Sequence, residues 1–156
     1  MTQSKGKTKR KPRNHAPADV VADRLHSAAI HLLRRVRKQD TATGEGPARL
    51  SALSVLVFAG PMTLGQLAAA EQVKPPTMSR IVAGLERSKL IEIAADPSDA
   101  RRIRIHATPL GTRLLYEARR RRVAALTAQI SNLPPSDLDN LLQAADLIDR
   151  LTQSWK

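Results

Sequence analysis

Residues 63–73 read TLGQLAAAEQV, residues 74–90 read KPPTMSRIVAGLERSKL, and residues 91–111 read IEIAADPSDARRIRIHATPLG. Thr63 and Gln66 have the spacing of a capping box, so a helix opens at Thr63. Pro75 and Pro76 fit only in the first turn of a helix, which starts a second helix after a short turn. Residues 90–95 and 102–107 are strand-like, with Ile91, Ile93, Ile103 and Ile105 alternating. Between them, Asp96-Pro97-Ser98-Asp99 is turn chemistry, and Arg101 and Arg102 follow at the tip. Pro109 then opens a long helix.

Helix, tight turn, helix and basic hairpin, in that order, are the layout of a winged helix-turn-helix. On a helical wheel of residues 74–89, Met78, Ile81, Val82 and Leu85 share one face and are expected inside. Pro76, Arg80, Ala83 and Arg87 fall opposite, flanked by Thr77 and Ser79. Small hydroxyls and an arginine near a helix N-terminus suit a major-groove probe, because arginine can bond guanine with both arms of its fork. Arg87 is spaced for a phosphate. The plainer reading of this face is an ordinary solvated helix surface. The hairpin weighs against it, since a basic tip can enter a narrow minor groove.

The remaining composition narrows the function. The 156 residues carry 26 basic against 14 acidic side chains, a formal charge of +12. Residues 1–17 contribute +6 and residues 74–122 contribute +7, whereas residues 123–156 are net −2. A polyanionic partner is the simplest explanation. Only Phe58, Tyr116 and Trp155 are aromatic, too few for a single-strand binder that stacks bases on rings. Cysteine is absent, which excludes disulfide and thiolate chemistry. Residues 1–18 lack the apolar segment of a signal peptide, and no apolar run approaches the roughly 20 residues of a membrane span. A cytoplasmic protein without a membrane partner is expected.

Residues 1–17 are polar, basic and proline-punctuated, and are expected to be a disordered tail, either a solubilising one or an arm on phosphates. A helix over 19–39 is expected, capped by Asp19, with Val21, Leu25, Ala28, Leu32 and Val36 at helical spacing. Residues 40–47 read as a loop and 50–59 as a short buried helix stopped by Gly60-Pro61. The helix from Pro109 runs to about Ile130. Residues 132–135 break it, and Ser136 is expected to cap a last helix striped by Leu138, Leu141, Ala145, Ile148 and Leu151. The run 119–122 is four arginines; neighbouring helix positions point in different directions, so they are not one patch, and a solvated surface is favoured over stems that cover apolar surface or heads that face acidic residues or DNA.

With these motifs in view, the chain resembles the multiple-antibiotic-resistance regulator (MarR) family. The residues that carry the resemblance are Pro75-Pro76-Thr77-x-Ser79-Arg80, then Asp96, Asp99 and Arg101 in the hairpin, then Thr108-Pro109-x-Gly111. The match is strongest over 63–111, and the helical order over 18–153 agrees with it. Two positions depart. Lys74 stands where the family often has a capping serine, which removes a cap and adds a cation. Ala100 stands where the wing often has a base, which suggests fewer wing contacts, offset in part by Arg102 or the tail.

The resemblance implies a mainly α fold with a small β-wing: a winged helix-turn-helix over 50–108 within a domain spanning 18–153, with dimerisation helices over 19–39 and 109–153. It implies double-stranded DNA as partner, a homodimer, and a transcriptional regulator, most often a repressor. The implied DNA-binding residues are Lys74, Pro76, Thr77, Ser79, Arg80, Arg87, Asp99, Arg101 and Arg102. The apolar stripes, carried by Val21 and Leu25 in the first helix and by Leu138, Leu141, Ile148 and Leu151 in the last, give the dimer independent support. A monomer core is the other reading of those stripes. Many members release DNA on binding a small aromatic anion, for which His31, Arg35 and Tyr116 are the polar candidates here. His26 and His31, five apart, do not share a face well, and no metal is expected. No nucleotide loop or nucleophile–base pattern occurs, so neither catalytic residue nor cofactor is expected. An architectural DNA binder of low specificity is the alternative function.

Overall fold

The computed structural model describes residues 16–96 and 99–155, and their side chains except those of residues 96 and 99–102. The elements are α1 (Ala18–Val36), a 3-10 helix (Arg37–Thr43), α2 (Pro47–Ala59), α3 (Leu64–Ala70), α4 (Pro75–Arg87), β1 (Ile91–Asp96), β2 (Asp99–Ala107), α5 (Pro109–Ile130) and α6 (Pro135–Ser154). They fall into two units, residues 1–34 and residues 35–156. The fold is mainly helical with a two-stranded wing, as expected. The tail, apart from Ala16 and Pro17, lies outside the described residues.

The core belongs to the second unit. Leu53 from α2, Leu67 from α3, Met78 and Leu85 from α4, and Ile105 from β2 are its largest fully buried side chains. Ala52, Leu56, Ala68, Val82, Leu90, Ile91 and Leu115 complete the cluster. Each large aliphatic side chain buried this way stabilises the fold by about 1.5–3 kcal/mol. The wing joins this core through its base. Strands β1 and β2 are antiparallel, with Ile91 opposite Ala107 and Ile93 opposite Ile105. Met62, between α2 and α3, adds a third backbone partner: its N–H donates to Ile105 O at 3.3 Å, and Ile105 N–H donates to Met62 O at 2.9 Å. Ile91, at the base of the hairpin, and Ile105, flanked by Ile93 on one side and Met62 on the other, are buried, while Ile93 and Ile103 stay exposed.

Several boundaries differ from the sequence expectation. Asp19 is not the cap of α1 but lies within its first turn, where a carboxylate still complements the helix dipole. Residues 40–47 are not one loop. Residues up to Thr43 form the 3-10 helix, and α2 begins at Pro47, whose missing N–H suits the first helical position. Ser136 likewise sits inside the first turn of α6, which begins at Pro135. Strand β2 starts three residues earlier than expected, at Asp99, so the hairpin is paired closer to its tip.

Helices α1 and α6 each present apolar side chains to solvent. Neither contains a buried residue. Val21 on α1, and Leu141, Ile148 and Leu151 on α6, are exposed, while Leu25 and Leu138 are half-buried.

Candidate nucleic-acid interface

The turn between α3 and α4 is built from local chemistry. Thr63 caps α3 by accepting from the Gln66 amide at 3.3 Å, and the Gln66 side chain returns the bond to the Thr63 amide at 2.9 Å. The helix closes with Gln72 in the left-handed region at φ 53° and with Val73 N–H donating to Ala68 O at 3.0 Å. Helix α4 ends in the same way. Lys89 has φ 57°, and Leu90 N–H donates to Leu85 O at 3.0 Å. These are Schellman closures without glycine; buried Leu90 and Leu85 supply the accompanying apolar contact.

Helix α4 starts without a side-chain cap. The loss of a capping serine at Lys74 matters little here. Pro75 and Pro76 have no N–H to satisfy, and the amides of Thr77 and Met78 both donate to Lys74 O, at 2.9 and 3.1 Å. A consequence follows for recognition: this helix start has few amides to offer a phosphate, so its side chains must carry the contacts. Lys74, Pro76, Thr77, Ser79 and Arg80 are all exposed, and Met78, Val82 and Leu85 are buried behind them. Ile81 is half-buried. Arg87 is exposed too, and its Nε donates back to Ala83 O at 3.3 Å. An apolar hollow of about 220 Å³, lined by Val82, Ala83, Ile93 and Ile103 among others, separates α4 from the wing. The backbone of Asp99, Arg101 and Arg102 belongs to β2, while their side chains lie outside those described.

The joint between wing and α5 explains the Thr108-Pro109-x-Gly111 motif. Thr108 Oγ1 donates to Lys89 O at 2.8 Å and accepts from the Gly111 amide at 3.1 Å, capping α5. The Thr108 amide donates to Leu90 O at 3.0 Å. Gly111 is buried against that same carbonyl, which a Cβ would overlap.

A sequence model of the MarR family matches residues 46–102. An HTH-type transcriptional regulator of Mycobacterium bovis is 34% identical over 128 residues, spanning 82% of this chain and 90% of the relative. The chain belongs to the MarR family of transcriptional regulators. Among solved structures, a transcriptional regulator from Pseudomonas aeruginosa PA01 superposes on this MarR-family chain with a TM-score of 0.77 at 29% identity, over 90% of this chain and 100% of that one. CouR from Rhodococcus jostii RHA1, solved bound to p-coumaroyl-CoA, gives a TM-score of 0.59 at 26% identity, over 84% and 92%.

Three residues that position α4 in this MarR-family chain are not apparent from sequence. Glu45 is half-buried, with its side chain mostly shielded, and one carboxylate oxygen accepts from Arg49 Nη1 at 2.8 Å while the other accepts from Ser88 Oγ at 2.6 Å, at the C-terminal end of α4. The Arg49 guanidinium lies over Gly84 in the middle of the same helix. The i,i+4 spacing of Glu45 and Arg49 is a detectable signal, but nothing local links either to α4.

The four arginines of the run on α5 do not form one patch. Arg119 and Arg120 are solvated, Arg120 with a loose pair to Glu117 at 3.8 Å. Arg122 instead bonds Asp40 at 2.7 Å and ties α5 to the 3-10 helix. Of the effector candidates, His31, Arg35 and Tyr116 are each exposed. Tyr116 meets Phe58 edge-on, with ring centroids 6.3 Å apart. Among the described residues no helix is long and apolar enough to cross a membrane.

Proposed function

We propose that this chain is a homodimeric, sequence-specific DNA-binding repressor that reads a pseudo-palindromic operator with α4. The observation that carries this reading is the division of α4 into a buried Met78–Val82–Leu85 face and an exposed face holding Thr77, Ser79 and Arg80. Arg80 is assigned to a guanine edge, Thr77 and Ser79 to bases or phosphates, and Lys74 and Arg87 to the backbone. Pro76 sets the approach of the helix start. In the wing, Asp99 fixes the tip, and Arg101 and Arg102 enter the minor groove. Residues 1–17 are a basic tail ahead of a domain of residues 18–153, with 50–108 as the winged helix-turn-helix. The setting is the cytoplasm.

Dimerisation through helices 19–39 and 109–153 is supported by the exposed apolar residues of α1 and α6. Two-fold symmetry then presents two copies of α4 to half-sites about one helical turn, 10–10.5 base pairs, apart. Release of DNA by an aromatic anion is the regulation the family resemblance suggests, with His31, Arg35 and Tyr116 as contacts. CouR, a structural neighbour bound to p-coumaroyl-CoA, supports an aromatic acyl thioester as the first ligand to try.

Selection of bound sequences from a random DNA pool tests the proposal. A two-fold symmetric consensus, bound at least about 10³ times more tightly than random duplex, is expected. Binding without a consensus would make the chain an architectural DNA binder instead.

A further inference from the structure

An open groove of about 590 Å³ runs beside α4, with residues 46–49 at the start of α2 on one side and Thr77, Arg80 and Ile81 on the other. None of its lining residues is acidic, and two are arginines. We propose that this groove seats the phosphodiester backbone of the bound duplex, with Arg49 as a phosphate contact next to Arg80. The inference rests on α4 being the DNA-reading helix and extends the contact surface to α2.

Arg49 is prepared for that role. Its Nη1 is held by Glu45 at 2.8 Å, and Glu45 is itself anchored by Ser88, so the guanidinium is fixed before DNA arrives. A guanidinium has five N–H donors in a planar fork, so one bond to Glu45 leaves others for a phosphate. Its side chain is 37% exposed, whereas that of Glu45 is only 7% exposed, so the cation faces solvent and its partner anion does not. Gly84 makes this possible, because any side chain there would occupy the place of the guanidinium. The groove is continuous with the exposed face of α4 through Thr77 and Arg80, and Pro47 and Ala48 on its α2 side are small and exposed.

Ala48 gives a test that spares the Arg49–Glu45 pair. It is exposed and sits in the first turn of α2, where an acid favours the helix. Ala48→Glu should therefore melt no lower than the wild type, yet bind the duplex selected by the wild-type chain about tenfold more weakly, because like charges would meet. Ala48→Gln, which adds the same bulk without the charge, should lose clearly less affinity than Ala48→Glu. The paired change Glu45→Gln with Arg49→Gln should make the salt dependence shallower by about 0.9 per protomer while leaving the consensus unchanged. If Ala48→Glu binds normally while Arg80→Ala is still impaired, the groove lies off the DNA and this inference is wrong. If Arg80→Ala also binds normally, α4 is not the reading helix and the proposed function fails with it. Should the paired variant not fold, the two Ala48 variants decide the matter alone.

Discussion

The guanidinium of Arg49 occupies the space that a Cβ on Gly84 would take, so an α2 side chain rests on the middle of α4. The obstruction is the far end of a flexible chain, so Gly84→Ala should displace Arg49 instead of distorting the backbone. Alanine is the better helix former by about 1 kcal/mol, and a partly exposed ion pair contributes about 0–1 kcal/mol. Urea unfolding should place Gly84→Ala within about 1 kcal/mol of the wild type on these terms. A much larger loss would mean that Arg49 cannot leave its seat.

Gly111→Ala should behave in the opposite way. Its Cβ would meet the backbone carbonyl of Leu90, the acceptor for the Thr108 amide, and Leu53 closes the space from the core side. Backbone cannot swing aside as a side chain can. Overpacking here should cost about 2–3 kcal/mol, read as a lower urea midpoint with an unchanged slope. Near-neutral stability would show that the joint between α4 and α5 is looser than its geometry indicates.

The Asp40–Arg122 pair is mostly shielded, with side chains 11% and 27% exposed. Asp40→Asn leaves a cation facing a neutral group, which should cost about 2 kcal/mol, less than in a fully buried pair. Removing both charges should cost less than the two single changes added together, and a double-mutant cycle measures that coupling. Additive losses would indicate that the two residues act separately.

What could be read from sequence was local. Thr63 with Gln66, the double proline, and Thr108-Pro109-x-Gly111 all act within a few residues, so helix starts and the wing order are legible in the chain. The start of α2 is not legible because Gly44 and Gly46 look like loop, while Pro47 is its first helical residue. The tertiary contacts are hidden by distance along the chain: Glu45 and Ser88, which position α4, lie 43 residues apart, and Asp40 and Arg122, which tie the 3-10 helix to α5, lie 82 apart. The outward face of α4 was legible because burial follows the helical period. The roles of its residues rest on the DNA they are proposed to meet.

Assembly is open to a direct test. Leu141 is 47% exposed on α6, so Leu141→Asp should be tolerated by a single chain. In the proposed dimer seam it would bury two unpaired carboxylates at several kcal/mol each. Sedimentation should find the wild type dimeric and the variant monomeric, with most of its helical signal retained. A dimeric variant would move the seam elsewhere, and an unfolded one would show that dimerisation and folding are a single event.

Arg80 bears on the central claim most directly. The measurement is the consensus recovered from one random DNA pool by the wild-type chain and by Arg80→Ala, with affinities for the wild-type site. Loss of a two-armed guanine contact should weaken binding by about 1–3 kcal/mol per half-site and relax the preference at one symmetric pair of positions. The same consensus at the same affinity would contradict the account, because the exposed face of α4 would then not be what reads the DNA.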